Sequence, residues 1–161
     1  MTNRKFHAQQ LKKIVYKTFE VSHPAIGVIR YVGGQFYAKT FNTSSGLATF
    51  EPIQMKVGLP NMGEFGTLSM KIEIGRVGTQ VKEKLTAIDN YNLAYPNTAT
   101  TPFVYREFTD GVETVRFSMW VREFVFDGQN VAILASDDNP SEINVAERQT
   151  VERFPGLAVL S

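Results

Sequence analysis

His7 and His23 are the only candidate imidazole bases, and with no cysteine there is no thiolate nucleophile. His23 sits in Ser22-His23-Pro24. Adjacency there keeps the serine hydroxyl and the ring from facing each other as nucleophile and base, so a plain turn at a strand end is expected. His7 falls in the polar stretch MTNRKFH, which has no apolar run behind it and so no form of a signal peptide. Carboxylates could pair at Asp137 and Asp138 or at Glu142 and Glu147. Asp137-Asp138-Asn139-Pro140, however, has the form of an Asx-type turn and lacks the D-x-D-x-D-G spacing of a calcium loop. Gly58, Gly63 and Gly66 do not make G-x-G-x-x-G, and G-K-[ST] is absent. Trp120, Arg122 and Phe124 alternate as a base- or sugar-stacking surface would, but strand alternation over an ordinary core gives the same pattern. Asn42-Thr43-Ser44 matches the glycosylation triplet and is expected to be coincidental. No nucleophile, base and oxyanion site assemble. A non-enzymatic protein is therefore expected, with no catalytic residues, no cofactor and no metal.

The balance of residue types narrows the remaining classes. Across 161 residues, 17 Lys and Arg face 16 Asp and Glu, a net charge of +1 that offers no field for nucleic acid or an anionic membrane. Twelve Phe and six Tyr with 43% apolar residues point to a packed core rather than a disordered chain. No run reaches the roughly 18 apolar residues of a membrane span. One β-rich domain over residues 1–135 is expected, followed by an extension over 136–161 that ends in the apolar Phe154 to Ser161 and docks as an arm on the core or on a neighbouring subunit.

The elements that would position these residues are mostly strands. Leu11 to Val21 reads as one, stopped at Pro24; Ile26 to Val32 and Gln35 to Phe41 read as a pair about Gly33-Gly34, with Asn42 to Gly46 a loop. Ile53, Met55, Val57 and Leu59 alternate with polar or small residues up to Pro60, and Leu68, Met70, Ile72 and Ile74 alternate again. Val81, Leu85 and Ile88 have helical spacing after Thr79 as N-cap, so one short helix should lie on the sheet. Asp89 to Thr101 is Asn-rich and polar and reads as the longest loop. Beyond it, Phe103 to Phe108, Glu113 to Phe126 and Asn130 to Ala135 are strands joined by turns at Asp110-Gly111 and Asp127-Gly128. The apolar register of the middle strand switches from odd to even near Trp120, which predicts a β-bulge or burial on both faces. The expected architecture is mainly β: about eight strands in an antiparallel sandwich or partly open barrel with one helix on the sheet.

Certain segments carry a resemblance. Phe19-Glu20-Val21-Ser22-His23-Pro24, the Ile53 to Pro60 strand closing in Gly58-Leu59-Pro60, Leu68 to Ile74 leading into Gln80 to Ile88, and Arg153-Phe154-Pro155-Gly156-Leu157 resemble a family of tailed-bacteriophage tail-tip proteins catalogued as a domain of unknown function. The likeness runs from about Val15 to Leu157, and the terminal FPGL is its most specific part. It implies a structural subunit similar in role to lambda-type minor tail proteins: a ring, six copies rather than three, between the tail tube end and the central hub. The implied partners are further copies of itself, the distal tail protein, the hub and the tape measure. The implied place is the virion tail tip after assembly in the host cytoplasm. Subunit contacts are expected at Phe154, Pro155, Gly156, Leu157, Tyr91 and Tyr95. The alternative is a carbohydrate- or receptor-binding module at the tail tip, using the Asp89 to Thr101 loop and Trp120.

Overall fold

Odd-numbered apolar residues at the chain's beginning have nowhere to go but against one another, and the fold grows from that face. In β1 (Val15–His23), Phe19 and Val21 are buried, and they meet Ile29 and Tyr31 of β2 (Gly27–Gly33) and Phe103 and Tyr105 of β8 (Pro102–Thr109). Both neighbours pair with β1 antiparallel, Phe19 standing opposite Tyr31 on one side and Tyr105 on the other. The sheet continues through β9 (Val112–Asp127), β10 (Asn130–Ser136), β7 (Leu68–Ile74) and β5 (Met55–Val57), with the two-residue β6 (Asn61–Met62) also on β7. At the other end β2 is followed by β4 (Gly46–Ile53) and then β3 (Lys39–Thr43). The computed structural model describes residues 13–58, 60–63, 66–76, 79–95 and 100–138.

The protein is mainly β, as expected, and among the described residues ten strands form one sheet that does not close into a barrel. Its helix, α1 (Thr79–Ala94), buries Leu85 and Ile88 completely in the odd-face core. The alternation at Leu68 to Ile74 holds, with Met70, Ile72 and Ile74 buried. The Asp110-Gly111 turn holds as well: both residues have positive φ, 52° and 80°, as a type I′ hairpin requires.

The opposite face of the same strands is also covered, around a smaller apolar cluster. Val32 and Phe108 are fully buried there, under a hairpin of β3 and β4 that lays Phe41, Ala48 and Phe50 across them. Phe41 stacks on Phe108 with ring centroids 4.3 Å apart and planes 8° from parallel. Within this layer Arg106 is only 3% exposed, with Nη1 3.6 Å from a Glu20 oxygen and Nε 3.5 Å from a Glu113 oxygen. These are ion pairs without hydrogen bonds at either nitrogen. Glu20 also accepts from Arg30 Nε at 2.6 Å.

Several local expectations are corrected. Gly33-Gly34 does not turn a hairpin: β2 pairs with β4 in parallel, Gly33 opposite Ile53, while Lys39 to Thr43 pairs with β4 instead. The reason is the Asn42 to Gly46 stretch. It is a two-residue hairpin turn and not a loop, closed by Thr43 Oγ1, which donates to the Gly46 carbonyl at 2.8 Å and accepts from Ser45 N–H. The Ile53 to Leu59 run breaks at Gln54, so its first part belongs to β4 and only Met55–Val57 pairs with β7. Leu59 lies outside the described residues. Asp89 to Ala94 is helical rather than loop. The bulge falls at Arg122, since Leu134 opposes Glu123 while Ala135 opposes Val121. A second register shift leaves Thr114 extra between Glu113 and Val115. The turn placed at Asp127-Gly128 is shifted by one residue: Asp127 pairs with Asn130, so Gly128 and Gln129 make it, with Gly128 at φ 57°.

This packing predicts a sharp contrast along β4. Phe50 is fully buried and Leu47 is 79% exposed. Phe50→Ala should cost about 3–5 kcal/mol and Leu47→Ala less than about 0.5, read from the midpoints of urea unfolding at unchanged slope.

Candidate functional site

His23 closes β1 on the same odd face as Phe19 and Val21, so the alternation that buries them also buries it; it is 3% exposed. Far from idling in a turn, its ring ties three segments together. Nδ1 accepts the N–H of Ala25 at 3.1 Å, which leaves Nε2 as the protonated nitrogen, donating to Asn92 Oδ1 at 3.0 Å. The Asn92 amide in turn donates to Thr101 Oγ1 at 3.4 Å. Thr101 is buried, and its carbonyl accepts from Val121 N–H at 2.9 Å. The β1–β2 turn, the end of α1 and the segment entering β8 are therefore joined through one imidazole.

Aromatic rings extend this junction outward. Tyr91 stands edge-on to His23 at 5.0 Å between centroids, and Tyr95 lies 4.9 Å from Tyr91 one helical turn on. Tyr95 is 55% exposed and Leu93 74% exposed, so the ladder runs from a buried histidine to the surface. Beside it, a shallow depression of about 370 Å³ is bounded by Ser22, Pro24, Val28, Thr100 and Pro102. Of the contacts expected from sequence, Tyr91 and Tyr95 are thus brought together, one half-buried and one exposed. Phe154, Pro155, Gly156 and Leu157 lie outside the described residues, as do His7, Glu142 and Glu147.

The other candidates fall apart spatially or take structural work. Arg122 turns to Ser136 Oγ at 2.6 Å and to Asp138 at 3.4 Å. Asp137 and Asp138 bind Leu68 N–H and Thr67 Oγ1 respectively. Trp120 is half-buried opposite Pro102. Among the described residues no group of three or more His, Asp or Glu side chains comes together as a metal site. Tyr105 is held protonated well above the usual tyrosine range, first by burial and then by the Glu107 carboxylate that accepts its hydrogen bond at 2.6 Å.

What the sequence did not reveal is an exposed aromatic pair, Phe36 and Tyr37, 92% and 80% exposed in the segment between β2 and β3. Their readable signal was Gly33-Gly34-Gln35-Phe36-Tyr37: aromatics directly after glycines that end a strand.

The junction makes a stability prediction. His23→Ala removes both the acceptor for Ala25 and the donor to Asn92, and should cost about 1–3 kcal/mol in chemical denaturation. Tyr95→Ser, which leaves His23 and Asn92 in place, should cost less than about 1. Equal losses for the two would show that the imidazole is not the anchor. No protein-family model matches the chain, and no curated protein sequence matches it.

Proposed function

We propose that this chain is a structural subunit of a tailed-bacteriophage tail tip, forming a closed ring of identical copies that joins the tail tube end to the central hub. The observation that carries the reading is a pair of unlike exposed aromatic surfaces at opposite ends of one strand. Leu93 and Tyr95 stand by the His23 end of β1; Phe36 and Tyr37 stand by its Val15 end, because Gly33 follows the Val32 that pairs with Thr18. Nine residues of strand separate them, roughly 30 Å at about 3.3 Å per residue. A contact of one kind of patch with the other is head-to-tail, and a head-to-tail contact that closes makes a ring. Interface centres favour Tyr, Phe and Met over most charged side chains, in keeping with a chain of net charge +1. The segments that carry the tail-tip resemblance support the same assignment: Phe19 to Pro24 contains the His23 anchor, and Leu68 to Ile74 leads to the helix that bears Tyr91 and Tyr95.

Light scattering on the full chain should find a closed oligomer, with six copies the expected number. Tyr95→Ser and Phe36→Ser should each reduce it to a monomer with unchanged circular dichroism, and their equimolar mixture should recover a dimer, since one intact contact remains. A full chain that stays monomeric at its solubility limit would sink the ring. The alternative, a carbohydrate-binding module, draws on the exposed Tyr95, which leads through Tyr91 to the His23 that lines the shallow depression. Glycan binding by a monomeric chain, lost in Tyr95→Ser, would favour it.

A further inference from the structure

Among the described residues the sheet stays open between β5 and the beginning of β1. At the level of Ile53 the order is β4, β2, β1, with Gly33 opposite Ile53. Past that level β2 leaves the sheet at Gly34, while β4 runs on through Gln54 into β5 and β1 extends the other way to Val15. β5 pairs with β7 alone, and Val15 to Lys17 pair with β8 alone. Between Met55–Val57 and Val15 to Lys17, where β2 would have continued, no described strand runs. A cleft of about 330 Å³ lies there, bounded by Val15, Lys17, Gly33, Gly34, Met55 and Val57. Where a sheet lacks one strand its neighbours stand two spacings of about 4.8 Å apart, the width that one extended chain fills by pairing with backbone groups on both sides.

The side chains agree. The odd face of β1 is wholly buried at Phe19 and Val21, yet Val15 on that face is 44% exposed beside the cleft. A Cβ on Gly33 would come within 2.7 Å of the Met55 side chain, so the cleft floor is held by a residue that only glycine fits without a shift. Lys17 and Lys56 are exposed at its rim. An occupant is therefore an extended, largely apolar segment without positive charge.

We propose that this occupant is the chain's own segment Phe154 to Ser161, added as a strand that closes the sheet between β5 and β1. Five of its eight residues are Phe, Leu, Ala or Val, and none is charged; residues 1–12, by contrast, include Arg4, Lys5 and Lys12. Its point of departure is secured, because Asp137 N–H donates to the Leu68 carbonyl at 3.0 Å, Leu68 N–H donates back to Asp137, and Arg122 holds Asp138. From Asp138 to Phe154 is 16 residues, a reach of up to roughly 50 Å, about the length of β9, the longest strand described. The segment reaches the cleft of its own copy or of a neighbouring one. This assignment stands whether or not the ring exists.

The absence of cysteine makes the test direct. Lys56→Cys is combined in the full chain with Ala158→Cys or with Val159→Cys, which between them cover both faces of an added strand. One of the two pairs should form a disulfide at least tenfold faster than the control pair Leu47→Cys with Val159→Cys. A linked monomer supports closure within one copy and denies the arm a part in the ring; a ladder of linked oligomers supports closure between copies. Independently, ending the chain at Arg153 should speed amide exchange at Val15 to Lys17 and Met55 to Val57 by at least tenfold, and the peptide Phe154 to Ser161 should restore it. Disulfide rates equal to the control, or exchange unchanged by the truncation, overturns the proposal.

Discussion

Strands β1, β2 and β8 are buried on both faces along part of their length, and the rest of the architecture is a response to that constraint. A strand buried on one face can leave its other face in water; one that carries Phe19 and Val21 on one side and a fully buried Thr18 on the other cannot. The odd face is covered by the curl of β9, β10 and β7 and by Leu85 and Ile88 of the helix. The even face is covered by folding the β3–β4 hairpin over it, with Phe41, Phe50 and Phe108 as the packed centre. The aromatic excess in the composition is thus divided between two small cores, and only the remainder reaches the surface.

Burial on both faces also explains the position of Arg106. Once the hairpin is laid down, a residue on the even face of β8 can no longer reach water, and a guanidinium there requires carboxylates on both sides. Glu20 comes from β1 and Glu113 from β9, the strands flanking β8. A slip of either neighbour by one residue would move its carboxylate to the other face, so this charge cluster penalises wrong registers in a sheet whose apolar residues alone would tolerate them. Arg116, directly opposite Arg106, is led away from the like charge by donating to Ser44 in the hairpin turn at 3.0 Å.

What was legible in the sequence follows from which signals are local. Leu68 to Ile74, the Asp110-Gly111 turn and the register change in β9 each depend on neighbours within a few residues, and each is found, the bulge two residues from where Trp120 suggested it. The parallel β2–β4 pair was illegible because nothing within Ile26 to Ile53 states that two strands of the same direction meet across an intervening hairpin. The helix ran past Ile88 because Asn92 and Tyr95 keep the i+4 and i+7 spacing with polar or amphipathic side chains, which count against a helix when scored by apolarity. At the site, Tyr91 and Tyr95 were visible as aromatics, but His23 was not visible as their anchor, since its partner Asn92 is 69 residues away.

An incomplete sheet is a liability, because open edges pair with any strand that arrives. Here the edges are short and guarded. β3 offers five residues and carries Lys39, which is engaged over the Tyr16 ring at 5.8 Å; β5 offers three, with Lys56 exposed at its centre. Neither edge can hold a foreign strand by backbone pairing alone, since a few ladder bonds, each of net worth about 1 kcal/mol, fall short of the cost of association. Selective contact therefore has to come from side chains, and those available are the exposed aromatics at the two ends of β1 and the apolar cleft between β5 and β1. The same economy that keeps these edges from aggregating makes any assembly through them depend on a matching surface.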